Sequence, residues 1–124
     1  MNTNYKLFLD DIRTVEMVYP KMNNDDFIVV RNFEDFKSVI LERGMPECIS
    51  FDNDLGLDIN NNIAPDGYAA AKWLVYESGL DLTYLKFKVH SANPVAAIQI
   101  RSLLENYIKF LRKGGEVVKN KQES

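Results

Sequence analysis

Four short apolar runs, separated by stretches of helical period, set the plan of this chain. Lys6 to Asp11, Phe27 to Arg31, Cys48 to Asp52 and Leu85 to Val89 are each bounded by turn-forming residues. Runs of that length, rich in β-branched and aromatic side chains, read as buried strands. Asn32 offers an N-cap to a helix whose Phe33, Phe36, Val39 and Ile40 fall on one face, and Gly44 ends it. Asp66-Gly67 opens a second helix from Tyr68 to about Ser78, stopped by Gly79. Asn93 caps a long last helix with Pro94 at its first position and a stripe of Ala97, Ile100, Leu104, Tyr107, Ile108 and Leu111; Gly114-Gly115 terminates it. Between strands one and two, Val15, Met17, Val18 and Tyr19 are closed off by Pro20, which leaves room only for a short or irregular helix.

Strand alternating with helix predicts an α/β domain with a mainly parallel sheet and crossover helices. Right-handed crossovers with strand order 2-1-3-4 place strands one and three side by side. Strand four alternates Leu85, Phe87 and Val89 with Lys86 and Lys88, the pattern of a sheet edge wetted on one face. Gly56 to Pro65, centred on Asn60-Asn61-Asn62, has turn chemistry throughout and reads as a mobile loop able to cover what precedes it. Glu116 to Lys119 is read as a short fifth strand and Asn120 to Ser124 as a frayed tail.

Composition narrows this little. The 124 residues suit a single domain, and 46% apolar with 27% charged residues excludes disorder and fibrous repeats. A net charge of -3 argues against non-specific duplex DNA binding, which needs a basic footprint. Cys48, the single cysteine, is read as a small buried hydrophobe; with no second cysteine and no signal-like N-terminus, a cytoplasmic protein is expected. No apolar stretch approaches the roughly 20 residues that span a bilayer, so no membrane insertion is expected.

The chemistry collects at the strand ends. Asp10-Asp11 follows strand one and Asp52-Asn53-Asp54 follows strand three, so the expected topology brings both acidic clusters to one edge. Alternation lets Asp52 and Asp54 share a direction while Asp10 and Asp11 diverge. Converging carboxylates repel one another, and a divalent cation relieves them, Mg²⁺ being the natural choice for oxygen-only ligands. His90, the only histidine, ends strand four at the same edge, where it is placed to act as general acid or base. Ser91, Asn93 and the N–H groups that follow, together with Arg13 and Arg31, are candidates to hold a phosphate. Taken singly, each aspartate is as well explained as a cap, and each arginine as an ion-pair partner. Trp73 and the other helix aromatics belong to the core.

Leu7-Phe8-Leu9-Asp10-Asp11-Ile12-Arg13, Arg31-Asn32, Ile49 to Gly56, Asp66-Gly67-Tyr68 and His90-Ser91-Ala92-Asn93-Pro94 occur in that order. In this they resemble the cyclic-phosphate-processing receiver-like family, a divergent branch of the response-regulator receiver fold. The resemblance implies a flavodoxin-like α/β sandwich that hydrolyses or recognises a cyclic phosphate on a nucleotide or RNA end. Asp10, Asp11 and Asp52 match the metal-holding positions of a receiver; on the reading of a metal-dependent phosphodiesterase they hold one divalent ion, Asp54 orients a bound water or completes the shell, His90 protonates the leaving alkoxide, and Ser91, Asn93 and Arg13 position the phosphate. Asp52-Asn53-Asp54 stands where the family pattern has Asp-His-Asp, an exchange expected to weaken catalysis. Two other readings follow: a non-catalytic module that binds a nucleotide or protein partner, and a phosphoaspartate signalling receiver on Asp52. The last is disfavoured because no receiver-type lysine and final helix are recognisable.

Overall fold

The computed structural model describes residues 5–22, 26–57 and 60–117. Strands β1 (Lys6–Leu9), β2 (Ile28–Val30), β3 (Cys48–Phe51) and β4 (Lys86–Val89) form one four-stranded sheet in the order β2-β1-β3-β4. All three pairings are parallel, with Leu9 opposite both Val30 and Phe51, and Phe51 opposite Val89. The expected order is therefore observed, and among the described residues β4 is an edge strand, with Lys86 and Lys88 exposed.

Helix α1 (Val15–Val18) is a single turn capped by Thr14. Helices α2 (Phe33–Arg43), α3 (Gly67–Tyr76) and α4 (Pro94–Arg112) are the crossover and closing helices. Asn32, Asp66 and Asn93 cap them, each side-chain oxygen accepting a backbone N–H of the first turn. Leu7, Leu9, Ile49 and Phe51 point to the face covered by these three helices, where they join Phe36, Ile40, Leu74, Ile100 and Leu104 in one core. Alternation turns Phe8 and Ser50 to the opposite face, where Phe8 meets the ring of Phe27 at 5.9 Å. No helix among the described residues is long and apolar enough to cross a membrane.

The structure trims several expected boundaries. Strand one stops at Leu9 rather than Asp11, because the Asp10 carboxylate accepts the N–H groups of Ile12 and Arg13 and bends the chain into a turn. Leu85 precedes β4, its N–H bonded to Leu82 O. The 56–65 loop is tied back on itself by an antiparallel bridge between Leu57 and Ile63 and by the Ala64 N–H on Gly56 O. Glu116 and Val117 are not in the sheet, and Val117 packs on the core instead. The rest of the expected fifth strand, and the tail after it, lie outside the described residues.

One glycine fixes how closely helix α3 approaches the site. A Cβ on Gly67 would lie 2.1 Å from Asp52 O and 3.0 Å from Asn53 Cα. The Gly67 and Tyr68 N–H groups meanwhile bond to the backbone and side-chain oxygens of Asn53, so α3 is docked on the end of β3. Gly67→Ala must push the helix away from backbone rather than from a flexible side chain. We expect a loss of about 1–3 kcal/mol in urea denaturation. A fully stable Gly67→Ala protein would show that this approach is not required.

Candidate functional site

Parallel pairing of β1 with β3 and of β3 with β4 puts Asp10, Asp52 and His90 in adjacent positions just past the sheet. Their N–H groups continue the ladder, bonding to Val30 O, Leu9 O and Phe51 O respectively. The backbone is thus held in register at the point where the side chains turn from packing to chemistry.

Asp10 has no exposed surface. Its Oδ1 accepts the Ile12 N–H at 3.0 Å and the Arg13 N–H at 2.9 Å, while Oδ2 takes Arg13 Nε at 2.8 Å and His90 Nε2 at 3.1 Å. Burial alone would raise this carboxyl. The two backbone donors, the His90 bond and the Arg13 charge outweigh it and hold Asp10 below the usual 3.8.

The imidazole of His90 lies flat on Phe8, ring centroids 4.8 Å apart and 3° from parallel. Burial keeps it neutral, lowering its pKa against the opposing pull of Asp10. A neutral ring facing an ionised carboxylate carries its proton on Nε2, which leaves Nδ1 as an acceptor. Ser50 Oγ, 2.7 Å away, must then donate to Nδ1 and accept from Tyr19 Oη, also at 2.7 Å. The polarity of the chain Tyr19–Ser50–His90–Asp10 is thereby fixed, and it runs from the open face of the sheet to the acidic edge.

Arg13 joins the two acidic clusters. Its Nη2 lies 3.3 Å from Asp52 Oδ1 and 3.4 Å from His90 O, while Nε holds Asp10. The carboxyl of Asp52 is nonetheless raised from 3.8 to about 6, first by burial and then by the charge of Asp10, against the pull of Arg13 and the Asn53 N–H. Negative charge at this edge exceeds what one guanidinium neutralises.

Asp11, Arg13, Asp52, Asp54, Ser91 and Asn93 line one open cleft of about 490 Å³. Six of the nine residues singled out from the sequence therefore share a surface. Ser91 Oγ accepts the Asn93 N–H, and Asn93 Oδ1 accepts those of Val95 and Ala96, so both side chains have hydrogens left to donate into the cleft. The other three lie elsewhere. Asp10 and His90 sit behind the cleft with their polar atoms bonded to protein. Arg31 donates Nη1 to the carbonyls of Asp10 and Arg13, bracing the turn rather than pairing with an aspartate. The expected ligand trio of Asp10, Asp11 and Asp52 is not the group that converges: the ligand atoms within 4.8 Å of one another belong to Asp10, Asp52 and His90. Asp11 diverges from Asp10, as alternation requires, and faces the cleft.

Ser50, Tyr19 and Phe8 were not singled out from the sequence. A serine inside Cys48-Ile49-Ser50-Phe51 is a visible signal, since a hydroxyl in a buried strand needs a partner. Tyr19 carries no local signal; its role exists only once α1 lies against the sheet.

Two outcomes test this arrangement in metal-free protein. Between pH 3.8 and about 6 the folded chain keeps a proton on Asp52 that the unfolded chain has released. Stability from this group is therefore lost as pH rises through that window, and Asp52→Asn should remove the slope in pH-dependent denaturation. Ser50→Ala strands the Tyr19 hydroxyl and His90 Nδ1 and should cost about 1–3 kcal/mol; an unchanged urea midpoint would refute the relay.

No curated protein and no solved structure gives a match. One family model does match, that of the cyclic-phosphate processing receiver domain, over residues 5–106. That span takes in all four strands and every residue lining the cleft. With its receiver-type sheet order and most of its length matched, the chain belongs to the cyclic-phosphate processing receiver domain family.

Proposed function

We propose that this domain is a metal-assisted hydrolase of a cyclic phosphate carried on a nucleotide or RNA end. The observation that carries the reading is the make-up of the cleft: three carboxylates, a guanidinium and two polar donors in one open space. Hydrolysis of a strained phosphodiester uses such a set: carboxylates to hold a cation and take a proton, and N–H and O–H donors for the non-bridging oxygens.

The donor set fits a divalent cation of the Mg²⁺ type. Hard carboxylate oxygens are its ordinary ligands, and the raised Asp52 carboxyl marks surplus negative charge that such an ion would relieve. Asp11 and Asp52 would hold it across the cleft, the ion keeping several of its waters, with Asp54 orienting one of them. Asp10 would join only on releasing Arg13 Nε. When bound, the ion supplies Lewis acidity at the phosphoryl oxygen.

The chain's own groups supply the rest. Arg13, Ser91 and the Asn93 amide donate to the non-bridging oxygens. Asp54, exposed at the cleft, accepts the proton of the attacking water as the new P–O bond forms. One ring P–O bond breaks, and the released oxygen takes a proton from solvent, giving a phosphomonoester. His90, 4% exposed with both ring nitrogens engaged, does not reach a leaving group in this arrangement; its contribution is to hold Asp10.

A second reading has its own observation. Arg13 already spans Asp10 and Asp52, and Asn53, which replaces the family's histidine, is spent on docking α3. In that reading the domain binds a nucleotide or a protein partner without changing it.

The test is turnover of 2′,3′-cyclic nucleotides with and without Mg²⁺. Metal-dependent product formation, reduced about 100-fold or more in Asp52→Asn and Asp11→Asn, is expected. Turnover that survives Asp52→Asn contradicts this assignment of the site, absence of turnover contradicts the hydrolase, and binding without turnover supports the silent module.

A further inference from the structure

A second cavity, of about 510 Å³, adjoins the cleft between the N-terminus of α2 and the 56–65 loop. Asp11 lines both spaces. Its Oδ2 lies 3.0 Å from where a Cβ on Gly56 would stand, and Gly56 has φ 77°. The boundary between the two spaces is therefore one carboxylate lying close over a backbone that favours glycine.

The two spaces differ in chemistry. The cleft has Arg13, Ser91 and Asn93 to receive an anion. The cavity is walled by Phe33, Leu55, Leu57, Ala64 and Pro65, with Asp11, Glu34 and Asp35 as its charged acceptors. Among the described residues the lining cation is Arg31, whose Nη1 turns to backbone carbonyls, and Lys37 lies beside Glu34 at 3.3 Å. A second phosphate would meet carboxylates here. A flat, uncharged group carrying N–H donors would meet apolar walls and acceptors. Leu57, on the cavity wall, is 62% exposed, and Ile63, bridged to it, is 85% exposed.

We propose that this cavity is a base subsite, and that the ligand is a mononucleoside cyclic phosphate with an amino-bearing base rather than the end of an RNA strand. The inference rests on the phosphate-cleft reading above. The volume lies within the usual 300–1,000 Å³ of small-molecule sites. The rigid sugar between base and phosphate is bridged by Asp11, which faces both. A polymer would have to carry further phosphates past Asp11 and Asp35, and like charges there oppose it.

Calorimetric binding in Mg²⁺ tests this, with the whole chain carrying Asp54→Asn so that the proposed general base does not consume the ligand. The ligands are 2′,3′-cyclic AMP, 2′,3′-cyclic UMP, a base-free methylriboside 2′,3′-cyclic phosphate, and a short RNA ending in the same cyclic phosphate. We expect 2′,3′-cyclic AMP to bind about tenfold or more tighter than the base-free compound, as burial of a ring in an apolar pocket implies. The uridine analogue should fall between them, and the RNA should bind more weakly than the mononucleotide. Leu57→Ala, which removes part of the apolar wall without adding charge, should reduce the ratio of nucleoside to base-free affinity severalfold. Equal binding of nucleoside and base-free phosphate, or RNA binding as tightly as the mononucleotide, overturns the base subsite while the phosphate reading stands. If none of the four binds, the phosphate reading falls with it.

Discussion

A carboxylate with no access to water must receive its hydrogen bonds from the protein, and Asp10 receives four. Two come from the turn it creates, one from the Arg13 side chain and one from His90. Each donor is tied to something further away. Arg13 reaches Asp52, His90 reaches Ser50 and Tyr19, and Arg31 braces the turn through the carbonyls of Asp10 and Arg13. Buried charge without partners costs several kcal/mol, so this set of bonds is a condition of folding.

The consequence for the cleft is a division of labour among the aspartates. Asp10 is anionic, fixed and internal. Asp52, one strand over and only slightly exposed, has its carboxyl raised first by burial and then by the charge of Asp10. Asp11 and Asp54 face outward, where a cation or a water can meet them. The close seat of α3 on Asn53 adds to this rigidity, because Gly67 lets the helix pack directly against the backbone of Asp52. The Asp-Asn-Asp segment therefore has two duties, to hold a helix and to present carboxylates.

Much of this was legible in the residues. The apolar runs and capping residues located the elements, and the lysine alternation of β4 identified an edge strand that the sheet order bears out. Both acidic clusters and His90 do lie at one edge. What the sequence could not assign was which member of Asp10-Asp11 turns inward. Alternation predicts only that the two diverge, and the choice is made by the local bonds to Arg13 together with the long-range bond to His90. The same holds for the two arginines: Arg13 pairs with carboxylates and Arg31 with carbonyls, a distinction set by where β2 ends relative to β1. His90 was read as facing the ligand because it follows a strand at the right edge, whereas stacking on Phe8 and bonding to Ser50 draw its ring beneath the surface.

The central claim is that the ionised Asp10 organises the edge and sets the charge felt by Asp52. The most direct measurement is the titration of the Asp52 carboxyl by carbon-detected NMR in Asp10→Asn, against the metal-free wild type. Removing the neighbouring charge and freeing Arg13 to pair with Asp52 should bring its midpoint down from about 6 toward 3.8. A midpoint that stays near 6 in the variant would contradict the account, since burial alone would then explain Asp52 and Asp10 would be a structural turn residue.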